Sequence, residues 1–166
     1  MDKKITVLGV GNILLKDEGV GVRVIERLKE TCCFPDNVTL MDGGTAGLDL
    51  LPFLEGMDYV IIVDTVKTSE PPGSIFRFTP DDIDVKVPYK TSLHQIGMVE
   101  VFAIADALGK SIGQVVIIGI QPEDISGWGL ELTETIRAKV PELMSLVVRE
   151  LEALGVECTK FPSVKA

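Results

Sequence analysis

Between Ile5 and Gly9 the chain reads ITVLG, a short run without polar alternation, and this predicts a strand buried on both faces. Helical spacing then takes over from about Glu18 to Thr31, where Val20, Val24, Ile25 and Leu28 form one apolar stripe. A second strand is expected over Val38 to Met41, followed by DGGTAG. A short helix is expected around Leu48 to Leu54, with Pro52 an awkward member. YVIIVD, from Tyr59 to Asp64, is another continuous apolar run. PPG at 71–73 marks a turn, and SIFRFT after it alternates as an edge strand does. Ser92 and Gln95 stand three apart at the head of SLHQIGMVEVFAIADALG, a capping box opening a helix that Gly109 closes. QVVIIGIQ, 114–121, predicts one more buried strand. The pattern from Glu131 to Leu154 predicts a last helix, interrupted near Pro141, and the last ten residues read as loosely held.

Buried strands alternating with helices imply an α/β fold, a parallel sheet with helices on both faces. With 166 residues, no internal repeat and no linker-like stretch, a single domain over 1–166 is expected, its core about 4–155 and its tail 156–166. Ligands of such folds bind beyond the carboxyl ends of the strands, where strand order switches. The residues that follow each strand are therefore the ones to inspect.

After the first strand come Gly9-Val10-Gly11-Asn12 and then Asp17-Glu18; after the second, Asp42-Gly43-Gly44-Thr45; the third ends in Asp64. His94, the only histidine, falls in the first turn of a predicted helix. Four ionisable groups, Glu18, Asp42, Asp64 and His94, can thus converge on one edge. Crowded carboxylates raise each other's pKa, and a divalent cation removes the conflict. Glu, Asp and His together suit zinc, nickel, iron or manganese, and three protein ligands leave positions open for a reacting group. Each residue also has a structural reading. Asp17 would cap the first helix and Glu18 would favour its N-terminal dipole. Asp42 before two glycines would be a turn residue. Asp64 or His94 would pair internally.

The charge of −9 disfavours nucleic acid. No apolar run approaches the roughly 18 residues of a membrane span, and the strand after Met1-Asp2-Lys3-Lys4 is too short for a signal sequence. Cys32, Cys33 and Cys158 make a poor disulfide framework, the first two being expected at the frayed end of the first helix. These features point to a cytoplasmic chain with reduced thiols. Familiar motifs fail: Leu14 stands where G-x-G-x-x-G needs its third glycine, and Ile104 where a Walker loop ending in Gly109-Lys110-Ser111 needs its first. Nucleotide binding is therefore not expected. No G-x-S-x-G is present, which leaves an esterase-type triad without a nucleophile.

GVGNILLKDEGVGVRVIERL, DGGTAGLDLL, DYVIIVDTV and SLHQIGM, in that order, resemble the hydrogenase maturation endopeptidases over about residues 4–155. The resemblance implies a three-layer α/β/α sandwich around a twisted, mostly parallel sheet of about five strands. It implies removal of a C-terminal extension from the large-subunit precursor of a nickel–iron hydrogenase, after nickel insertion. The family's metal-binding residues fall on Glu18, Asp64 and His94, and Asp42 matches an acidic residue tied to cleavage or nickel recognition, a candidate general base. The family is often grouped with aspartic-type peptidases. Nickel would arrive with the substrate, and zinc or cadmium would substitute for it in a crystal. Gly43, Gly44, Thr45, Gln121 and Trp128 lie at the same edge as candidate substrate contacts, Trp128 being an aromatic anchor or a residue packed on a helix. A metal carrier of the same fold, without peptidase activity, is the alternative; it would leave a nickel-loaded precursor intact.

Overall fold

The computed structural model describes residues 2–82 and 93–162, with only the backbone at 93–97, 99 and 100. Five strands form the main sheet: β1 (Ile5–Val10), β3 (Val38–Gly44), β4 (Tyr59–Thr65), β5 (Ile75–Phe78) and β6 (Gln114–Ile120). Their order is β3-β1-β4-β6-β5. All neighbours are parallel except β5, which runs antiparallel to β6 on the sheet edge. The expected α/β architecture is present.

Why β1 and β4 lack alternation is clear from what covers them. Ile5, Val7, Ile61 and Val63 face α1 (Val20–Thr31) and α4 (Glu134–Ala153). Leu8, Val10, Val60 and Ile62 face α2 (Leu51–Leu54) and α3 (Leu93–Ala107). Successive side chains leave opposite faces of a strand, so two apolar layers require a run without polar alternation, and the polar members Thr6, Asp64 and Thr65 are themselves buried. Every residue of β1 and β4 is buried. Among the described residues no helix is long and apolar enough to cross a membrane.

Several boundaries differ from the sequence pattern. β3 does not stop at Met41; it runs through Asp42-Gly43 to Gly44, with a register shift between Gly9 and Val10 on β1. Gly43 continues the strand because its missing side chain leaves room for Leu8, whose Cδ1 lies 2.7 Å from where a Cβ would be. Pro52 falls in the first positions of α2, where its missing N–H costs nothing. α4 begins at Glu134 because Thr133 caps it, accepting the Ile136 N–H, and it continues through Pro141, flanked by buried Val140 and Leu143. Gly109 (φ +67) follows α3 as expected, whereas the Ser92 half of the capping box lies outside the described residues. Cys32–Cys33 is not a frayed helix end but β2, paired antiparallel with β7 (Thr159–Lys160), so this part of the tail is tied down.

The strand order sets the site. From β1 the chain moves through α1 to β3 on one side, then crosses to β4 on the other. The switch in direction falls between the carboxyl ends of β1 and β4, the place where open α/β sheets bind their ligands.

Candidate active site

The turn after β1 is packed backbone against backbone. Gly11 has φ +137, and a Cβ on it would lie 1.9 Å from the Glu18 carbonyl oxygen. Only glycine fits there. The chain then makes a 3-10 turn over Lys16–Gly19 before α1. A Cβ on Gly9 would lie 2.4 Å from the Gly21 carbonyl oxygen. The glycines thus allow the first turn of α1 to rest directly on the strand ends. Glu18 is buried there at 8% exposure.

Asp64, at the end of β4, is 1% exposed, and its Oδ1 accepts the Thr65 N–H at 2.7 Å. Burial pushes its pKa well above the usual carboxylate range, the Thr65 N–H pulls it down, and the charge of Glu18 raises it again. Two buried carboxylates from separate strand ends therefore lie within electrostatic reach of each other. Among the described residues no group of three potential metal ligands forms, and the His94 side chain lies outside them. Its backbone does not: α3 begins at Leu93, packs against the turn Gly47–Leu50 that follows β3, and leads back toward the start of β6. The first turn of α3, with position 94 four residues before buried Met98, is thereby brought to the carboxyl edge of the sheet.

Asp42 reaches that edge differently. It lies opposite Gly9, and Gly9 lies opposite Val63, so Asp42 shares the face of Val63 while Asp64 leaves the other face. Asp42 is exposed, and its Oδ1 accepts the Gly44 N–H at 2.9 Å, the local bond expected of a turn residue. The expected convergence of four groups on one point thus resolves into two parts. Glu18 and Asp64 are coupled, and Asp42 stands one strand away on the far side of the β1 end. Gly44 (φ +45) and exposed Thr45 follow it along the same rim.

Asp17 overturns its expected role. The residue before α1 is Gly19, with no side-chain capping bond, and Asp17 is fully buried. Its Oδ2 accepts the N–H groups of Glu123 at 3.0 Å and Asp124 at 2.9 Å, and its Oδ1 accepts that of Thr133 at 2.8 Å. The Thr133 hydroxyl lies 3.1 and 3.0 Å from the two oxygens. Gln121 also turns inward: its Oε1 accepts the Thr68 N–H and hydroxyl, and its Nε2 donates to the Pro122 carbonyl. The Gln121 amide holds the loop after β4 and is spent on this chain. Trp128 does the opposite. It is 77% exposed, so it does not pack on a helix, and Leu14 and Leu130 beside it in the paired loops are exposed too.

Comparison with known proteins decides what this edge belongs to. The family model described as "HycI: Hydrogenase maturation protease" matches residues 22–150. The chain belongs to the hydrogenase maturation proteases. It is 40% identical over 163 residues to the hydrogenase expression/formation protein HupD of Rhodobacter capsulatus, covering 98% of this chain and 78% of that one. It is 34% identical to the hydrogenase 2 maturation protease of Escherichia coli K12, covering 93% and 94%. Its fold superposes on the hydrogenase maturating endopeptidase HybD of E. coli with a TM-score of 0.85, at 33% identity and 95% and 97% coverage.

The protein is thus a hydrolase of the protease class. The matched residues 22–150 take in Asp42, Asp64 and position 94, and the HupD relative, at 98% coverage, extends across the Glu18 turn as well. What sequence reasoning missed in the protease is the inward role of Asp17 and its partner Thr133. The only signal was an acid next to a candidate ligand, and its partners lie more than a hundred residues away.

Proposed function

We propose that this protease removes the C-terminal extension of a nickel–iron hydrogenase large-subunit precursor after nickel insertion, reading the precursor-borne nickel with Glu18, Asp64 and His94. The observation that carries the reading is the buried Glu18–Asp64 pair, in which burial and a neighbouring negative charge both disfavour an ionised Asp64. A divalent cation would relieve that conflict, and two carboxylates with an imidazole form a donor set suited to nickel. A precursor without nickel offers the pair nothing to bind, so it is rejected.

Asp42 then serves as general base from the other side of the β1 end. Two strand spacings separate its Cα from the level of Val63, roughly 10 Å, a span that an extended peptide lying across the carboxyl edge can bridge. Water gives a proton to the Asp42 carboxylate as its oxygen attacks the scissile carbonyl carbon. The C–N bond then breaks, and the proton passes to the leaving amine. That role would accord with an aspartic-type grouping. The three free cysteines, Cys32, Cys33 and Cys158, fit work in the reducing cytoplasm.

The test uses nickel-loaded precursor and single variants. Glu18→Gln, Asp64→Asn and His94→Ala each lower the cleavage rate by at least about a hundredfold while circular dichroism stays that of the parent. Full cleavage by all three variants ends the assignment.

A further inference from the structure

The 3-10 turn Lys16–Gly19 that carries Glu18 is four residues long. Such turns do not hold themselves, since their internal bonds are few and poorly aligned. Within this one, Glu18 donates its N–H to the Leu15 carbonyl at 3.2 Å and Val20 donates to the Asp17 carbonyl. Its order must come from outside.

The hydrogen bonds that Leu14, Lys16 and Asp17 make to distant residues lead to one segment, the connection from β6 to α4. Gly129 donates to the Leu14 carbonyl and Lys16 donates to the Gly129 carbonyl, each at 2.8 Å, and Asp17 donates to the Asp124 carbonyl at 3.2 Å. Lys16 takes φ +54, a left-handed conformation unusual for a side-chain-bearing residue, and its Nζ lies 2.7 Å from Asp124 Oδ2. Strain of this kind persists only where the surroundings over-determine it. At the centre lies the buried Asp17 carboxylate, accepting three main-chain N–H groups and one hydroxyl. It also meets the N-terminus of α4, where unpaired N–H groups favour a negative charge.

We infer that Asp17 is a positioning residue that locks the Glu18 turn to the β6–α4 connection. The lock holds Glu18 toward Asp64 before substrate arrives and fixes the loop displaying Trp128 to the same turn. Asp17 touches neither substrate nor nickel; it acts through Glu18. The kinetic consequence rests on the function proposed above, whereas the structural consequence does not.

The substitution that tests it is Asp17→Asn, nearly the same size but with an NH2 that cannot accept and would face N–H donors. In the free protein, the amides of Glu18 and Val20 then exchange hydrogen at least tenfold faster, together with those of Glu123, Asp124 and Thr133. Amides of β4 and of the later turns of α1 keep their rates. If only the β6–α4 connection accelerates, Asp17 fixes that loop alone and the inference fails. If all strands accelerate alike, its role is global stability and the inference also fails. On nickel-loaded precursor, kcat/KM falls at least tenfold at a temperature where the variant is fully folded, and Thr133→Ser, which keeps the hydroxyl, stays within about twofold of the parent. An unchanged kcat/KM for Asp17→Asn overturns the inference. If the parent itself does not cleave the precursor, the proposed function is lost while the exchange measurement still decides the role of Asp17. Should Asp17→Asn not fold, Thr133→Val removes one donor and keeps the N–H. It then shows the same acceleration at Glu18 and Val20 at smaller amplitude, and no acceleration there overturns the inference.

Discussion

A Cβ on Gly21 would lie 2.1 Å from the carbonyl oxygen of Val63, the residue before Asp64. The helix that follows Glu18 therefore begins against the backbone of the strand that ends in Asp64, and this approach brings the two carboxylates together. Gly21→Ala pushes α1 away from β4. The expected cost is about 1–3 kcal/mol of overpacking, read as a lower midpoint in urea. Cleavage per folded molecule is expected to fall as well, because Glu18 moves with the helix. A parent-like midpoint would show that the contact is not close in solution.

Asp42→Asn keeps an oxygen for the Gly44 N–H, so the end of β3 keeps its shape. A general base contributes about 10²–10⁴ in rate, so cleavage falls by that order while the nickel-loaded precursor still binds. Binding by calorimetry beside cleavage by mass separates the two. Normal cleavage removes Asp42 from the chemistry.

Trp128 is the only tryptophan and is largely exposed. If the precursor lands on it, the indole leaves water and its emission shifts to the blue on binding. Trp128→Ala then raises KM about tenfold, as loss of an aromatic anchor does, with no change in thermal midpoint. Emission that does not move when precursor binds would place the contact elsewhere.

Asp64 makes stability depend on pH with a definite sign. Its folded pKa lies above the ordinary 3.8. Between those values the native state holds a proton that the unfolded chain has lost, so stability falls as pH rises through that window. Asp64→Asn removes the effect and keeps an acceptor for the Thr65 N–H. With a chelator present, the variant gains stability over the parent as pH rises, and the two converge below 3.8. Urea titrations across that range check it; a variant less stable than the parent at every pH contradicts it.

The parts of this molecule legible in the sequence are those set by local pattern. YVIIVD reads as a doubly covered strand because burial on both faces leaves no polar alternation, and its closing Asp64 falls at the candidate site by the strand-end rule. Glu18 follows from the same rule. Tertiary partnerships were not legible. Asp17 and Gln121 looked like a helix cap and a substrate contact. Their hydrogen bonds close over Thr133 and Thr68, residues that no spacing connects to them. The continuation of β3 through Gly43-Gly44 was hidden too, because glycine ordinarily argues for a strand end and only the crowding by Leu8 explains it.

Under the proposed function, the Glu18–Asp64 pair reads a nickel ion carried by the precursor. The most direct measurement is the mass of the large-subunit precursor after incubation with this protease, once with nickel inserted and once without. The expected result is loss of a C-terminal peptide from the nickel-loaded form alone. Equal cleavage of both forms, or an intact nickel-loaded precursor, would contradict it.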